Sequence, residues 1–239
     1  MNELVDTLKL GIQEIDMELS NIQLKQFQAY YQMVIEKNKK LNLTAIIDEK
    51  EFAIKHLIDS ILCIKVMSFS AGMTLLDLGT GAGFPGIPLK ICLPELKITL
   101  VDAQEKKVKF LKEVNTRLGL EYIEVVHARA EELGHRDIYR ESFERLTARA
   151  VAGLDILAEY CLPLVKLGGF FLAMKGPKLN EEINAAAKAI KLLGGELEQV
   201  AQWKLPLTGD IRNIVLIRKI APTPRQYPRR NGMPKKKPL

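Results

Sequence analysis

Apolar positions in the first 68 residues recur at helical spacing, and no stretch there alternates as a strand does. Ser20 followed by Gln23 is typical of a capping box at the start of a helix, and Asp48 followed by Glu51 resembles the same box. The pattern predicts three helices, at about 2–17, 20–40 and 48–64. We therefore expect a small N-terminal helical unit over residues 1–68.

From residue 72 onwards, apolar runs of strand length alternate with stretches of helical period. The predicted strands lie at 74–78, 97–101, 122–127, 143–148, 169–175, 197–205 and 212–219. The predicted helices lie at about 86–92, 104–118, 153–166 and 178–193. Alternation of this kind predicts an α/β fold, a mostly parallel seven-stranded sheet with helices on both faces. The last two strands are joined by residues 207–210 and should be antiparallel, and the core should span residues 69–220.

A glycine-rich loop follows the first predicted strand, and three kinds of ligand-binding loop compete to explain it. A Walker loop needs Gly-Lys-Ser/Thr after its spacer, and no such triplet follows. A dinucleotide fingerprint fits Gly81, Gly83 and Gly86 literally, but it puts Pro85 in the turn that should meet a pyrophosphate. A glycine-rich turn without any ligand is a further alternative.

The third kind of loop has the pattern Asp-x-Gly-x-Gly-x-Gly, which Asp77, Gly79, Gly81 and Gly83 meet in full. This pattern resembles the first motif of methyltransferases that use S-adenosylmethionine and have a Rossmann-like sheet. The second predicted strand ends at Asp102, where a carboxylate can accept hydrogen bonds from ribose hydroxyls. That acid suits NAD and S-adenosylmethionine equally, so it supports a nucleoside ligand without choosing between them.

Nearly the whole chain resembles the glucose-inhibited division protein B family, the bacterial guanine-N7 methyltransferases of small-subunit ribosomal RNA. The resemblance is carried by Asn38 to Thr44, His56, Asp59-Ser60, Gly79 to Leu89, Asp102, Lys106-Lys107, Phe110-Leu111, Arg129-Ala130-Glu131, Thr147 to Ala150, Lys175-Gly176 and Tyr227-Pro228-Arg229. The Gly-Phe-Pro-Gly extension of the loop, residues 83–86, is the most family-specific of these segments.

The resemblance implies a Rossmann-like class I methyltransferase that binds S-adenosylmethionine and acts on a guanine of 16S ribosomal RNA near the decoding region. It implies that the cofactor is bound by Asp77, Gly79, Gly81, Gly83, Phe84, Asp102, Ala103, Ala130, Glu131 and Arg149. Ala130 and Glu131 would meet the adenine, and Arg149 would orient the cofactor or the acceptor. The alternatives are that Glu131 only stabilises a helix N-terminus and that Arg149 forms a structural ion pair.

On the third predicted helix, His56, Asp59 and Ser60 share one face at spacings of three and four residues. A Ser-His-Asp triad would need a nucleophile on a strained elbow and an oxyanion hole, which a helix face does not supply. We expect these three side chains to satisfy one another beside the ligand cleft.

The net charge of +6 is confined to the last 19 residues, because the first 220 residues contain 29 basic and 29 acidic side chains. Five prolines in this segment, 221–239, predict an extended and mobile tail without a helix. We expect RNA to contact Lys175, Arg225, Tyr227, Arg229, Arg230 and Lys235, with Tyr227 stacking on an unpaired base. The alternative is a tail that only keeps the protein in solution.

The acceptor atom is indicated by two signatures that the chain lacks. Methylation of a pyrimidine carbon typically uses a Pro-Cys nucleophile, and methylation of an exocyclic amine commonly uses an Asn/Asp-Pro-Pro-aromatic clamp. Neither is present. Guanine N7 carries a free lone pair and needs no such group. A methyltransferase for a small molecule and a non-catalytic RNA-binding protein with a vestigial cofactor fold are the two alternatives.

Composition narrows the class of protein further. A hydrophobic content of 47% with 27% charged residues is ordinary for a globular protein, and no apolar run is long enough for a membrane span. The first residues, with Glu3 and Asp6, lack the basic and apolar regions of a secretion signal. The three cysteines lie in apolar surroundings without metal spacing, so we expect free thiols, a cytoplasmic location and no metal. No coiled-coil or long exposed apolar pattern demands a dimer, so we expect a monomer.

Overall fold

A computed structural model describes residues 3–149, 152–176 and 179–239. The α-helices are α1 Glu3–Gln13, α2 Asn21–Leu41, α3 Glu49–Phe52, α4 Asp59–Ile61, α5 Cys63–Val66, α6 Gly86–Cys92, α7 Glu105–Leu118, α8 Ala130–Leu133, α9 Leu154–Cys161, α10 Asn180–Leu192 and α11 Met233–Lys236. The strands are β1 Thr74–Leu78, β2 Lys97–Asp102, β3 Ile123–His127, β4 Phe143–Arg149, β5 Val165–Lys175, β6 Gly195–Lys204 and β7 Ile211–Lys219. None of the helices within these described ranges is both long and apolar enough to cross a lipid bilayer.

The seven strands form one sheet in the order β3-β2-β1-β4-β5-β7-β6. β1 to β5 pair in parallel, whereas β7 runs antiparallel to both β5 and β6. The strand order reverses between β1 and β4, and ligands bind beside such a switch point at the carboxyl ends of parallel strands. The predicted α/β class, the seven strands and the final antiparallel pair are confirmed.

Two apolar clusters bury the two faces of the sheet. One contains strand residues such as Leu75 and Ile98 together with Phe27, Tyr30 and Phe52 from the N-terminal helices. Burying these aromatic rings against the sheet joins the N-terminal helices to the core. The boundary at residue 68 therefore stays a prediction, since a shared core spans it.

The N-terminal capping box is confirmed, because Ser20 accepts from the Gln23 amide and Gln23 accepts from the Ser20 amide. The third predicted helix is not one regular helix. Between α3 and α4, residues Ala53–Ile58 form a π-helix. Such turns often lie at functional sites, because the extra residue turns the following side chains. Here the side chain after the π-helix is Asp59.

The helix predicted at 153–166 ends earlier than expected. α9 stops at Cys161, and residues Leu162–Leu164 form a 3₁₀ turn around Pro163, which has no amide hydrogen for a helix. β5 consequently starts at Val165 and not at 169. The helix predicted from residue 178 begins at Asn180, and residue 178 itself lies outside the described residues, as does Ala150.

The C-terminal tail differs most from its prediction. It was expected to be extended and free of helix, but α11 forms within it, with Pro234 in the first turn where a missing amide hydrogen is tolerated. The tail packs on the core, since the Arg140 guanidinium donates to the carbonyls of Thr223, Pro224 and Tyr227. These contacts contradict the prediction of a mobile tail.

Candidate functional site

The loop after β1 folds as its glycines require. Gly79, Gly81 and Gly83 have φ of 69°, 63° and 115°, where residues with a Cβ are strained. A Cβ on Gly83 would lie 2.8 Å from the hydroxyl of Tyr30, which itself donates to the Ala82 carbonyl at 2.8 Å. Gly83 is therefore needed for packing against the N-terminal helices, whereas Gly79 is exposed and Gly81 half-buried.

The carboxylate of Asp77 is bound within the glycine loop. Its side chain is fully buried, and its Oδ2 accepts hydrogen bonds from the Thr80 hydroxyl at 2.6 Å and the Gly86 amide at 2.8 Å. Burial raises the pKa of Asp77 to about 6, although these hydrogen bonds oppose the increase. Asp77 was predicted to bind the cofactor; the structure shows that it holds the two ends of the glycine loop together.

A pocket of about 200 Å³ opens at the carboxyl ends of β1, β2 and β3. We call it the loop pocket, and its walls include Gly79, Asp102, Ala103, Ala130, Glu131 and Lys235. The carboxylate of Asp102 accepts from the Gly81 amide at 3.0 Å and from the Gln104 amide at 2.8 Å. Asp102 thus fixes the floor of the pocket and keeps acceptor capacity for further donors.

Glu131 contacts the C-terminal tail, which the sequence did not indicate. It is buried, and its Oε1 accepts from the Gly232 amide of the C-terminal tail at 2.9 Å. Burial, together with the nearby carboxylate of Glu131, raises the pKa of Tyr160 to about 12. Both Tyr160 and Gly232 line the loop pocket, so Glu131 fastens the tail to the wall beside Tyr160.

A larger opening of about 380 Å³ lies at the same edge of the sheet, beyond β4. We call it the basic cleft, and its charged or titratable lining consists of Lys55, His56, Asp59, Arg149, Lys175 and Arg212. Its residues come from the π-helix and α4, from the carboxyl ends of β4 and β5, and from the first residues of the antiparallel strand β7. Cationic side chains outnumber the single carboxylate, which suits a polyanion.

Asp59 organises this cleft. Its Oδ2 accepts from Arg149 at 3.0 Å, and its Oδ1 accepts from Arg212 at 2.8 Å. The Asp59 side chain is 8% exposed, and the two guanidiniums are only 15% and 24% exposed. One carboxylate therefore orients two cations and neutralises one of them.

Aromatic contacts join the basic cleft to the glycine loop. The ring of Phe84 stacks on His56 with centroids 4.5 Å apart, and the Arg149 guanidinium lies 4.9 Å from the same ring. Burial and the nearby Arg149 charge lower the pKa of His56 to about 3. Phe84, predicted as a cofactor residue, is buried in this junction, and His56 is neutral at physiological pH.

The expectation that His56, Asp59 and Ser60 satisfy one another is wrong. His56 Nε2 bonds to the Thr44 hydroxyl at 2.7 Å, and Ser60 donates to the backbone carbonyl of His56. Asp59 is bound to arginines from other elements. The π-helix is the physical reason, since it rotates these side chains away from the spacing of a regular helix.

The side chains predicted to bind RNA fall into two groups. Tyr227 is 8% exposed, so its ring is not free to stack on a base, and Arg229 forms a two-pronged pair with the buried Glu159. Lys175 is held by Glu182 at 2.7 Å. The exposed members are Arg225, Arg230 and Lys235. The expected stacking by Tyr227 is thus contradicted.

Arg212 is the site residue that the sequence reasoning missed. Its signal was a basic residue at the start of the last predicted strand, just after the turn at 207–210. Within the described residues, no group of three or more His, Cys, Asp and Glu side chains could hold a metal ion. The three cysteines are free thiols.

Known proteins match this chain over its whole length. A family model described as rRNA small subunit methyltransferase G matches residues 23–215. "Ribosomal RNA small subunit methyltransferase G" of Pelotomaculum thermopropionicum is 53% identical over 239 residues, with all of both chains covered, and that of Desulforamulus reducens is 47% identical with the same coverage. Among solved structures, a SAM-dependent methyltransferase from Aquifex aeolicus has a TM-score of 0.52 at 20% identity, covering 77% of this chain and 97% of its own.

The structural likeness, at this low identity, concerns the fold, which is that of a Rossmann-like methyltransferase. The sequence matches concern the family. They include both the β1 loop and the N-terminal helices that build the basic cleft, and they extend over the full length of the chain. The chain belongs to the rRNA small subunit methyltransferase G family.

Proposed function

We propose that the protein transfers a methyl group from S-adenosylmethionine to N7 of a guanine in small-subunit ribosomal RNA, near the decoding region. The observation that carries this proposal is the pair of openings at one edge of the sheet, one beside the glycine loop and one lined by cations. The family name adds the substrate class. We expect the protein to work as a monomer in the cytoplasm.

The loop pocket fits the adenosine half of the cofactor. Gly79 leaves its wall open, Val101 and Ala128 supply apolar surface for an adenine, and Asp102 supplies acceptors for ribose hydroxyls. A Cβ on Gly81 would meet no atom closer than 4.0 Å, so the side of the loop that lacks a side chain is open. The glycine loop would hold the remainder of the cofactor towards β4.

The basic cleft fits the acceptor nucleotide. Arg149 and Arg212 each keep donors beyond those bound to Asp59, and a guanidinium fork matches a phosphate or the edge of a guanine. Arg149 also touches Phe84, which directly follows Gly83 of the loop. We assign Arg149 the role of orienting the acceptor beside the cofactor.

The proposed reaction depends mainly on aligning the methyl donor with the acceptor nitrogen. The cofactor supplies a methyl group already activated on a positively charged sulfur. Guanine N7 presents a lone pair, so the chain has no proton to remove and acts by positioning the two reactants in line. His56 is neutral near pH 7 because its pKa is about 3, and it keeps its ring against Phe84.

Transfer of label from methyl-tritiated S-adenosylmethionine tests the proposal. Unmodified small-subunit RNA and small subunits would be incubated with the protein and then digested to nucleosides. Label in 7-methylguanosine is the expected result. Label in a different nucleoside would keep the fold and the cofactor but overturn the acceptor atom. Binding of the cofactor without any transfer to RNA would favour a small-molecule acceptor.

A further inference from the structure

The C-terminal tail is anchored to the core on the side of the loop pocket. Buried Lys219 donates to the Thr223 hydroxyl and pairs with Glu141 at 3.1 Å. Further on, Arg229 binds the side chain of Glu159, which is only 1% exposed, at 2.6 Å. Charge-assisted bonds of this kind to a buried carboxylate fix the path of the chain up to residue 229.

Beyond these anchors, the tail turns towards the opening of the loop pocket. Asn231 donates to Glu132 at 2.8 Å, and the Gly232 amide donates to Glu131 at 2.9 Å. Gly232 has φ of 80°, and from it the short helix α11 begins. Gly232 and Lys235 are thereby placed in the wall of the pocket, together with Asp102 at the end of β2.

Lys235 is the only cation that the tail contributes to this wall. Its side chain is exposed, and among the described residues its ammonium has no hydrogen-bond or ion-pair partner. The ammonium group is a donor without acceptor capacity, whereas the carboxylates of Asp102 and Glu131 are acceptors. The tail therefore adds a cationic donor to a wall that already contains the acceptors Asp102 and Glu131 and the basic side chain of Arg129.

We propose that residues 231–239 form part of the cofactor site, with Lys235 donating to acceptor atoms of the bound nucleoside. Glu131 is then a positioning residue, which holds the tail through the Gly232 amide instead of reading the adenine edge with its carboxylate. This inference rests on the proposed function, in that the ligand is S-adenosylmethionine. It gives the basic tail a role in cofactor binding that requires no RNA.

Calorimetric titration with S-adenosylhomocysteine, without RNA, measures that role directly. A chain that stops after Arg230 keeps the anchors at Thr223 and Arg229 but lacks Gly232 and Lys235, the part of the pocket wall that the tail supplies. We expect the truncated chain to bind about tenfold more weakly and Lys235→Ala about threefold more weakly, because a single charged contact at an exposed position contributes little and the truncation removes the rest of the wall as well. Lys236→Ala is the matched control: this neighbour in the same short helix does not line the pocket, and affinity should not change.

A double-mutant cycle separates a positioning role of Glu131 from direct contact. If Glu131 acts through the tail, Glu131→Ala weakens binding in the full chain but adds little in the truncated chain. Equal weakening in both backgrounds would mean that the carboxylate contacts the ligand itself, and the positioning role would be overturned. Thermal unfolding of each variant shows whether the fold is retained.

The outcomes distinguish this inference from the proposed function. If the full chain binds S-adenosylhomocysteine and truncation, Lys235→Ala and Lys236→Ala leave the affinity unchanged, the tail is not part of the site and the proposed function stands. A full chain that does not bind S-adenosylhomocysteine would overturn both. A second readout is tryptic cleavage after Lys235, which bound ligand should slow and which an independent tail would leave unchanged.

Discussion

The loop pocket and the basic cleft lie at one edge of the sheet but are built in different ways. The floor of the loop pocket is formed by the turns that follow β1, β2 and β3. The pairing of these strands in the sheet positions the residues at their ends. The basic cleft needs Asp59 from the N-terminal helices, Arg149 from β4 and Arg212 from β7, which lie far apart in the chain. The floor of the loop pocket depends on local backbone geometry, and only the tail joins its wall through a long-range bond. The basic cleft depends on long-range ion pairs throughout.

The largest effect that would test this contrast is expected from Gly81→Val. A branched side chain at φ of 63° strains the loop and stands on its open side. We expect affinity for S-adenosylhomocysteine to fall by about 100-fold, equivalent to roughly 2.7 kcal/mol. Gly119→Val is the matched control, because Gly119 has φ of 60° and open space but caps α7 away from the site. Equal affinity in the two variants would contradict the loop's assignment.

A smaller effect, confined to the other site, is expected from Asp59→Asn. Arg149 and Arg212 would lose a shared, nearly buried carboxylate, which should lower the free energy of unfolding by about 2–3 kcal/mol. Methyl transfer to RNA should fall more than about tenfold, while affinity for S-adenosylhomocysteine stays within about twofold. Kinetics and calorimetry on one preparation measure both quantities.

The control for that variant is Asp137→Asn. Asp137 pairs with Arg225, but both side chains are more than 80% exposed, so removing the pair should change neither stability nor transfer. If Asp59→Asn weakened cofactor binding as much as methyl transfer, the two sites would not be separable and the contrast between them would fail.

The smallest effect concerns the pH dependence of the basic cleft. The pKa of His56 is about 3 in the folded protein and near 6.5 in an unfolded chain, so below pH 6.5 the unfolded state binds more protons. Stability should therefore fall as the pH decreases, by about 1 kcal/mol between pH 8 and pH 6 from this group. Chemical denaturation of the wild type and of His56→Gln measures the difference.

His127→Gln, which replaces an exposed histidine of β3, is the matched substitution for that measurement. A pH profile of stability that His56→Gln leaves unchanged would show that His56 is accessible to protons in the folded state. The close stack on Phe84 would then have to open in solution.

The difference between the two sites also explains what the sequence could predict. Asp77, the glycines and Asp102 follow apolar runs whose length and period identify strands, so their place at the sheet edge was predictable. Arg149 was assigned on the same grounds. Its partners were not, because the pairing of Asp59 with Arg149 and Arg212 depends on how the N-terminal helices pack, which no local pattern records.

The tail was mispredicted for a related reason. Its prolines and basic residues are typical of a disordered segment when considered alone. Its order comes from partners elsewhere in the chain, namely Arg140, Glu159 and Glu131. The composition of a segment indicates whether that segment can fold by itself. It does not indicate whether distant parts of the chain supply side chains that bind the segment.

The bond from the Tyr30 hydroxyl to the Ala82 carbonyl has a consequence for protein engineering. Tyr30 occupies the space that Gly83 leaves empty, so the glycine loop takes its shape by packing against the N-terminal helices. The N-terminal helices and the core are consequently not interchangeable modules in this protein. A chimaera that grafts the core onto a foreign RNA-binding domain must carry α2 with it, or supply another phenol at the same place.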